Sequence, residues 1–252
     1  MAVIGIVAAH GSPGATTLAV ALAHRLGVHR AEPPLLIEAD PDGGVIAARH
    51  GLLGAAGLTA LAGAARAGLQ AGDLERFAVP MASGLPVIAA HPSPEQTHAA
   101  VRVVAGPLAA AIGGEPGPGI VIDLGRLRPG SPAEPLAAVC DELLVVVRPE
   151  LDQVLAIADR LDTLGRFAAL RVVVVGDRPY PPSEVCSALG VPAVAVIAAD
   201  ARAVTADPAA ARRRGRWQRS VDVLAGELVA DGAAEATTST DEEGDELMAV
   251  AG

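Results

Sequence analysis

An apolar run from Val3 to Val7 leads into Ala9-His10-Gly11-Ser12-Pro13-Gly14-Ala15-Thr16-Thr17, after which helix-forming residues resume. Small residues at a strand-to-helix turn let backbone N–H groups curl round an anion at the positive end of the helix, which is the chemistry of a phosphate cradle. Taken alone, the stretch fits an ordinary tight turn equally well. Two later apolar runs end in carboxylates: Leu35 to Ile37 closes in Glu38-Ala39-Asp40-Pro41-Asp42, and Ile120 to Ile122 closes in Asp123-Leu124-Gly125. Carboxylates there fall on the edge where open α/β sheets bind ligands. Singly, Asp40 or Asp123 is as readily a helix cap or a turn residue. Three such strand ends in one order make that bland reading hard to hold.

These residues need elements to position them. Short Val/Ile/Leu runs recur at Val3–Val7, Leu35–Ile37, Pro86–Ala89, Ile120–Ile122, Leu143–Val147, Val172–Val175 and Val194–Ile197. They are continuous rather than alternating, as strands buried on both faces are. Segments of helical spacing lie between them, including Thr16–Leu26, Ser93–Ala111 and Leu151–Leu164. Alternating strand and helix predicts a three-layer α/β fold, a mostly parallel twisted sheet with helices on both faces. The Ala/Gly-rich stretch 51–72 predicts one or two short helices. One domain is expected over residues 1–230. Residues 231–252, acidic and without an apolar period, are expected to form a disordered tail.

Composition narrows the chemistry. Hydrophobic residues make up 51% of the 252 and aromatics only 2%, so the core must be aliphatic and no aromatic platform for single-stranded nucleic acid exists. All 19 basic residues are arginine, which removes any lysine chemistry. A net charge of −10 argues against wrapping nucleic acid over the whole surface. The one basic cluster, Arg212, Arg213, Arg214, Arg216 and Arg219, could meet DNA phosphates, anionic lipid or a protein partner, or be a solvated helix start. Trp217, Val221, Leu224 and Leu228 form a stripe expected to pack the last helix on the domain. Cys140 and Cys186 stand apart and read as reduced core residues of a cytoplasmic protein, and His24, His29, His50, His91 and His98 show no ligand spacing. The chain end is acidic, which disfavours direct membrane insertion.

The loop, the Glu38-Ala39-Asp40-Pro41 strand end and the Asp123-Leu124-Gly125 strand end together resemble the ParA/MinD family of deviant Walker A P-loop ATPases. Val147-Arg148-Pro149-Glu150 and the stretch from Gly190-Val191-Pro192 to Val204 are similar to further family segments, so the resemblance spans residues 2 to about 229. It implies a cytoplasmic, dimer-forming switch that binds ATP and Mg²⁺ and acts in chromosome or plasmid partitioning, division-site placement or polar positioning. By the family pattern, residues 10–17 (His10, Gly11, Ser12, Pro13, Gly14, Ala15, Thr16 and Thr17) line the nucleotide phosphates. Thr16 and Asp123 serve Mg²⁺, and Asp40 orients the attacking water. The sequence departs from that pattern where it matters for charge. The loop lysine falls on Ala15, the family's signature lysine falls on His10, and Gly176-Asp177-Arg178-Pro179 stands where an adenine-reading Asn is expected.

One charge-assisted bond is worth roughly 1.5–3 kcal/mol, so loss of the loop lysine implies nucleotide binding weaker by about 10- to 150-fold, with slow or absent hydrolysis. Arg49, Arg126 and Arg128 are candidate replacements, or plain surface charges. TadZ/CpaE-like relatives with altered loops suggest the alternative, a pseudo-ATPase scaffold for a pilus or secretion assembly.

Overall fold

The computed structural model describes residues 2–8, 10–11, 13–52, 57–114, 119–204 and 215–249, with side chains described to residue 234. Strand β1 (Val3–Ala8) runs through the site loop into α1 (Ala15–Arg30), followed by β2 (Leu35–Glu38), α2 (Ile46–His50) and α3 (Leu58–Ala65). A 3₁₀ turn, Ala71–Phe77, precedes β3 (Val79–Pro80) and β4 (Pro86–Ile88), and α4 (Pro94–Gly114) leads to β5 (Ile120–Asp123). Then come α5 (Glu134–Ala137), β6 (Glu142–Val147), α6 (Leu151–Ala158), α7 (Leu161–Leu164), β7 (Ala169–Val175), α8 (Pro182–Leu189), β8 (Ala195–Ile197) and α9 (Arg216–Ala249).

The eight strands lie in the order β3-β4-β2-β5-β1-β6-β7-β8, parallel except for the antiparallel β3–β4 pair. The expected class, a mostly parallel sheet with helices on both faces, is the observed one. Alternate residues along each central strand explain the two cores. Val3, Val7, Leu35, Ile37 and Ile122 face α3, α4, α6 and α8, whereas Ile4, Ile6, Ala8, Leu36 and Val121 face α1 and α9. Continuous apolar runs are thus what a two-sided burial requires. Helix α1 is Ala-rich because it lies between the sheet and α9, where short side chains permit close approach. Arg25 on α1 pairs with Asp222 on α9, and His29 Nε2 lies 3.1 Å from the same carboxylate.

Three differences from the sequence reading have physical reasons. The predicted Leu151–Leu164 helix is two pieces, α6 and α7, because Arg160 donates its N–H to the Ile157 carbonyl and breaks the α-helical ladder. Strand β3, only two residues with an edge proline, is too short to show a pattern. The acidic segment expected as a tail continues α9 in backbone through Ala249. An established helix propagates without the cost of a new nucleus, and the segment's Ala and Glu favour it. The expected stripe Trp217, Val221, Leu224 and Leu228 is buried on α1's side of the sheet. Cys140 is buried and Cys186 half-buried, both free thiols. Among the described residues no helix is long and apolar enough to cross a membrane.

Candidate functional site

Three strands place the site. Because β2, β5 and β1 are adjacent, with Glu38 level with Asp123 and Asp123 level with Ile6, their carboxyl ends open side by side. Strand order reverses at β1, flanked by β5 and β6, so this edge is also the switch point where such sheets hold ligands.

The loop between β1 and α1 keeps its backbone available. Gly11 has φ +62° and Gly14, the residue before α1, has φ +107°, values that favour glycine. Gly14 supplies no side-chain cap to α1, and the first turn of α1 holds no acidic residue, so the helix start is left for an anion. Among the described residues, nothing lies within 4 Å of a Cβ built on Gly14, and a Cβ on Gly11 would meet only Gln153 Nε2, at 3.9 Å. His10 is exposed, Pro13 and Ala15 are buried, and Thr16 and Thr17 are half-buried. Ser12 lies outside the described residues.

Asp123 is fully buried at the end of β5. Its carboxylate accepts the Thr16 hydroxyl, and its Oδ1 accepts the Gly125 N–H at 3.1 Å. Its Oδ2 is buried with no hydrogen-bond partner among the described residues. Burial first, and then the charges of Glu38 and Asp40, push the carboxyl up to about 7, against the bonds from Thr16 and Gly125. A buried, unpartnered carboxylate oxygen beside a threonine hydroxyl fits a hard divalent cation, which takes oxygen ligands. Among the described residues, no three His, Cys, Asp or Glu side chains form a metal cage. That suits an ion such as Mg²⁺, which is usually held by one or two protein oxygens and completed by phosphate and water.

The two carboxylates that close β2 play different parts. Glu38, which the sequence reading did not single out, has its Oε1 accepting the N–H groups of Val45 and Ile46 at 2.7 and 3.0 Å, and its Oε2 accepting that of Ala90 at 2.9 Å. It ties the turn after β2 to the end of β4, and burial holds its carboxyl above the usual range. Asp40 is half-buried, and its Oδ1 accepts the Asp42 N–H at 2.9 Å. Burial likewise raises its carboxyl, with Arg126 and Arg128 opposing. Gly125 packs directly on it: φ is +57°, and an added Cβ would lie 2.0 Å from Asp40 Cγ. Asp40, Gly125, Asp123 and Thr16 are therefore brought together at one strand edge.

Other expected contributors stand apart or are engaged. Arg126 and Arg128 pair with Asp42, whereas Arg49 is exposed on α2. Asp177 and Arg178 are exposed after β7. Arg216 and Arg219 are exposed at the start of α9, and Arg212, Arg213 and Arg214 lie outside the described residues. A second residue that sequence reasoning missed is Gln153 on α6. Its Oε1 accepts the Arg148 N–H at 2.9 Å and its Nε2 donates to Glu150 at 3.0 Å, fixing the end of β6 against the Gly11 side of the loop. The signal was available, since Gln is an odd residue on the apolar face of a helix.

No protein-family model and no curated protein matches the chain. Solved structures do. The septum site-determining protein MinD of Pyrococcus horikoshii, complexed with Mg-ADP, superposes with a TM-score of 0.73 at 18% identity, covering 90% of this chain and 95% of that one. The cell division ATPase MinD of Pyrococcus furiosus gives 0.72 at 20% identity over 91% and 99%. A ParA family ATPase of Chlorobium tepidum gives 0.68 at 16% over 90% and 98%. The chain therefore has the ParA/MinD P-loop fold.

Proposed function

We propose that this chain is a nucleotide-binding switch of the ParA/MinD kind, binding Mg-ATP weakly and turning it over slowly or not at all. The single observation that supports it most is Asp123, whose unpartnered buried oxygen stands beside Thr16 at the open start of α1. Backbone N–H groups of Gly11, Gly14, Thr16 and Thr17 would cradle the phosphates, with Thr16 and Asp123 holding Mg²⁺. The cation, when bound, draws negative charge off the phosphate oxygens and neutralises Asp123. Asp40, at the same strand edge, would orient a water. Structures of the same fold hold such ligands: MinD of P. horikoshii holds Mg-ADP, and a putative plasmid partition protein of Borrelia burgdorferi, with a TM-score of 0.66 at 14% identity, holds AMPPNP. The roles then open to this chain are those of a cytoplasmic, dimerising factor in partitioning, division-site placement or polar positioning, with DNA or a protein docking at the arginines before α9.

A second reading rests on Ala15 and His10, which leave the loop without a fixed charge. In it the fold serves as a scaffold for a pilus or secretion assembly and binds no nucleotide. Thermal unfolding separates the two. With a dissociation constant of about 100 μM, 5 mM Mg-ATP adds roughly 2.3 kcal/mol of stability, a rise on the order of 5–9 °C. Ala15→Lys should tighten binding about tenfold or more by restoring one charge-assisted bond. No shift for the wild type and none for Ala15→Lys leaves the scaffold.

A further inference from the structure

A phosphate chain entering this site meets Glu38, Asp40, Asp42 and Asp123 on the surrounding strand ends, and the chain has no lysine to set against them. Two guanidiniums do stand there, on the segment leaving β5. Its backbone is stapled to β1: Leu124 donates its N–H to Ile6 at 2.9 Å, and Gly125 accepts the Ala8 N–H at 2.8 Å. Arg126 therefore leaves from a point fixed against the last residue of β1, where the phosphate loop begins. Leu124 and Leu127 are buried, which turns Arg126, between them, outward.

Both arginines are taken by one carboxylate. Asp42 Oδ2 lies 2.9 Å from Arg126 Nη2 and 3.4 Å from Arg128 Nη2. Asp42 cannot drift away from them, because its turn is pinned at successive points: its own N–H to Asp40 Oδ1, that of Gly43 to the Asp40 carbonyl at 3.1 Å, and those of Val45 and Ile46 to Glu38. The carboxylate is thus held by backbone, whereas among the described residues the guanidiniums are held by charge, paired with Asp42 and within the field of Asp40. Arg128 also lies within the field of Arg160, which it opposes, so Arg128 gains from keeping Asp42 as its counter-charge. Arg126 has no such tie.

We propose that Arg126 is the phosphate-binding cation of this site, taking the charge that the loop's own side chains lack, and that Asp42 is a clasp which holds Arg126 off until an anionic ligand displaces it. The inference rests on the nucleotide reading above. The exchange is chemically reasonable in both directions. A half-exposed ion pair is weak, and a guanidinium matches phosphate oxygens in bidentate geometry at least as well as it matches carboxylate. Release of Arg126 leaves Asp42 still compensated by Arg128.

The test is calorimetric titration of Mg-ATP and Mg-ADP into the full chain and its variants, each checked by its melting temperature. Arg126→Gln should weaken Mg-ATP binding about tenfold or more, and Arg126→Lys should recover only part of it, because an ammonium restores the charge but not the bidentate fork. Asp42→Asn should tighten binding several-fold in the wild type and have no effect in the Arg126→Gln background. If Asp42→Asn tightens binding equally in both backgrounds, Asp42 acts through its field alone and the clasp is wrong. Wild-type affinity in Arg126→Gln, with Ala15→Lys still tightening binding, overturns the proposal and leaves the nucleotide reading standing. No binding by any variant, Ala15→Lys included, removes both. Arg126→Gln and Arg126→Lys alter a half-exposed side chain, so the comparison survives if Asp42→Asn fails to fold.

Discussion

Asp123→Asn should make this protein more stable at alkaline pH. Burial raises the Asp123 carboxyl to about 7 from an ordinary value of 3.8. The folded chain therefore binds a proton more tightly than the unfolded chain, and stability falls as pH rises from about 4 to about 7, then levels off. Between pH 5 and pH 8 the folded carboxyl loses its proton over roughly two pH units while the unfolded one is already ionised. At 1.36 kcal/mol per unit, Asp123 withdraws about 3 kcal/mol of stability across that range. Asn is nearly the same size and its carbonyl can accept the Thr16 and Gly125 bonds, but it carries no charge to desolvate. Glu38 and Asp40, also raised, titrate in both proteins, so the difference between the two pH curves reports Asp123 together with its coupling to them. Denaturant and thermal unfolding at pH 5 to 9 should show the variant gaining about 3 kcal/mol relative to the wild type from pH 5 to pH 8. For a chain of this size that is a relative shift of about 6–12 °C. The gain should come with loss of Mg-ADP stabilisation. Parallel pH curves would refute the claim that Asp123 is a desolvated, uncompensated carboxylate.

Three further outcomes follow from the same geometry. Gly125→Ala forces a Cβ at positive φ into Asp40 and should cost about 3 kcal/mol or more in denaturant unfolding; a loss below 1 kcal/mol would mean the strand end relaxes freely. Glu38→Gln turns an amide donor toward either the Ala90 N–H or the pair at Val45 and Ile46, so it should cost about 1–3 kcal/mol and speed hydrogen exchange at those amides. Truncation after Ala234 should leave the melting temperature within about 1 °C, whereas truncation after Ala230 also removes the 2.7 Å pair of Asp231 with Arg171 and should cost up to about 1 kcal/mol; a large loss in the first variant would show that the acidic end of α9 docks on the domain.

Which features the sequence revealed depended on whether their causes are local. The seven longer strands showed themselves because burial on both faces forces unbroken aliphatic runs. The loop and the carboxylates of Asp40 and Asp123 showed themselves because strand ends punctuate those runs. Glu38 did not, for its partners Val45, Ile46 and Ala90 are joined only when β4 comes to lie beside β2, 52 residues on. The pairing of Asp42 with Arg126 and Arg128, which read as candidate replacements for the lysine charge or as surface charges, did not show itself, because an ion pair across 84 or more positions leaves no spacing to read. The role of Asp231 was hidden for the same reason: it is acidic like the segment after it, yet it pairs with Arg171, which also pairs with Glu142 on β6.

The cost carried at Asp123 bears on which of the two readings the site supports. A domain used only as a docking scaffold gains nothing from a fully buried carboxylate with one unpartnered oxygen, set against two further carboxylates whose fields raise it. An amide or an aliphatic residue there would fold more firmly. A divalent cation reverses that balance: it supplies the missing partner for Oδ2, removes the repulsion from Glu38 and Asp40, and turns the Thr16 hydroxyl from a hydrogen-bond donor to the carboxylate into a ligand beside it. Nothing on the protein completes such an ion, because no third side chain is in place to cage it among the described residues. The remaining ligands must then come with the substrate, and the open backbone of Gly14 and α1 faces that position with the polarity that phosphate requires. The destabilised aspartate and the uncapped helix thus call for ligands of opposite sign at one place, which a metal–phosphate pair supplies together and a docked protein surface does not.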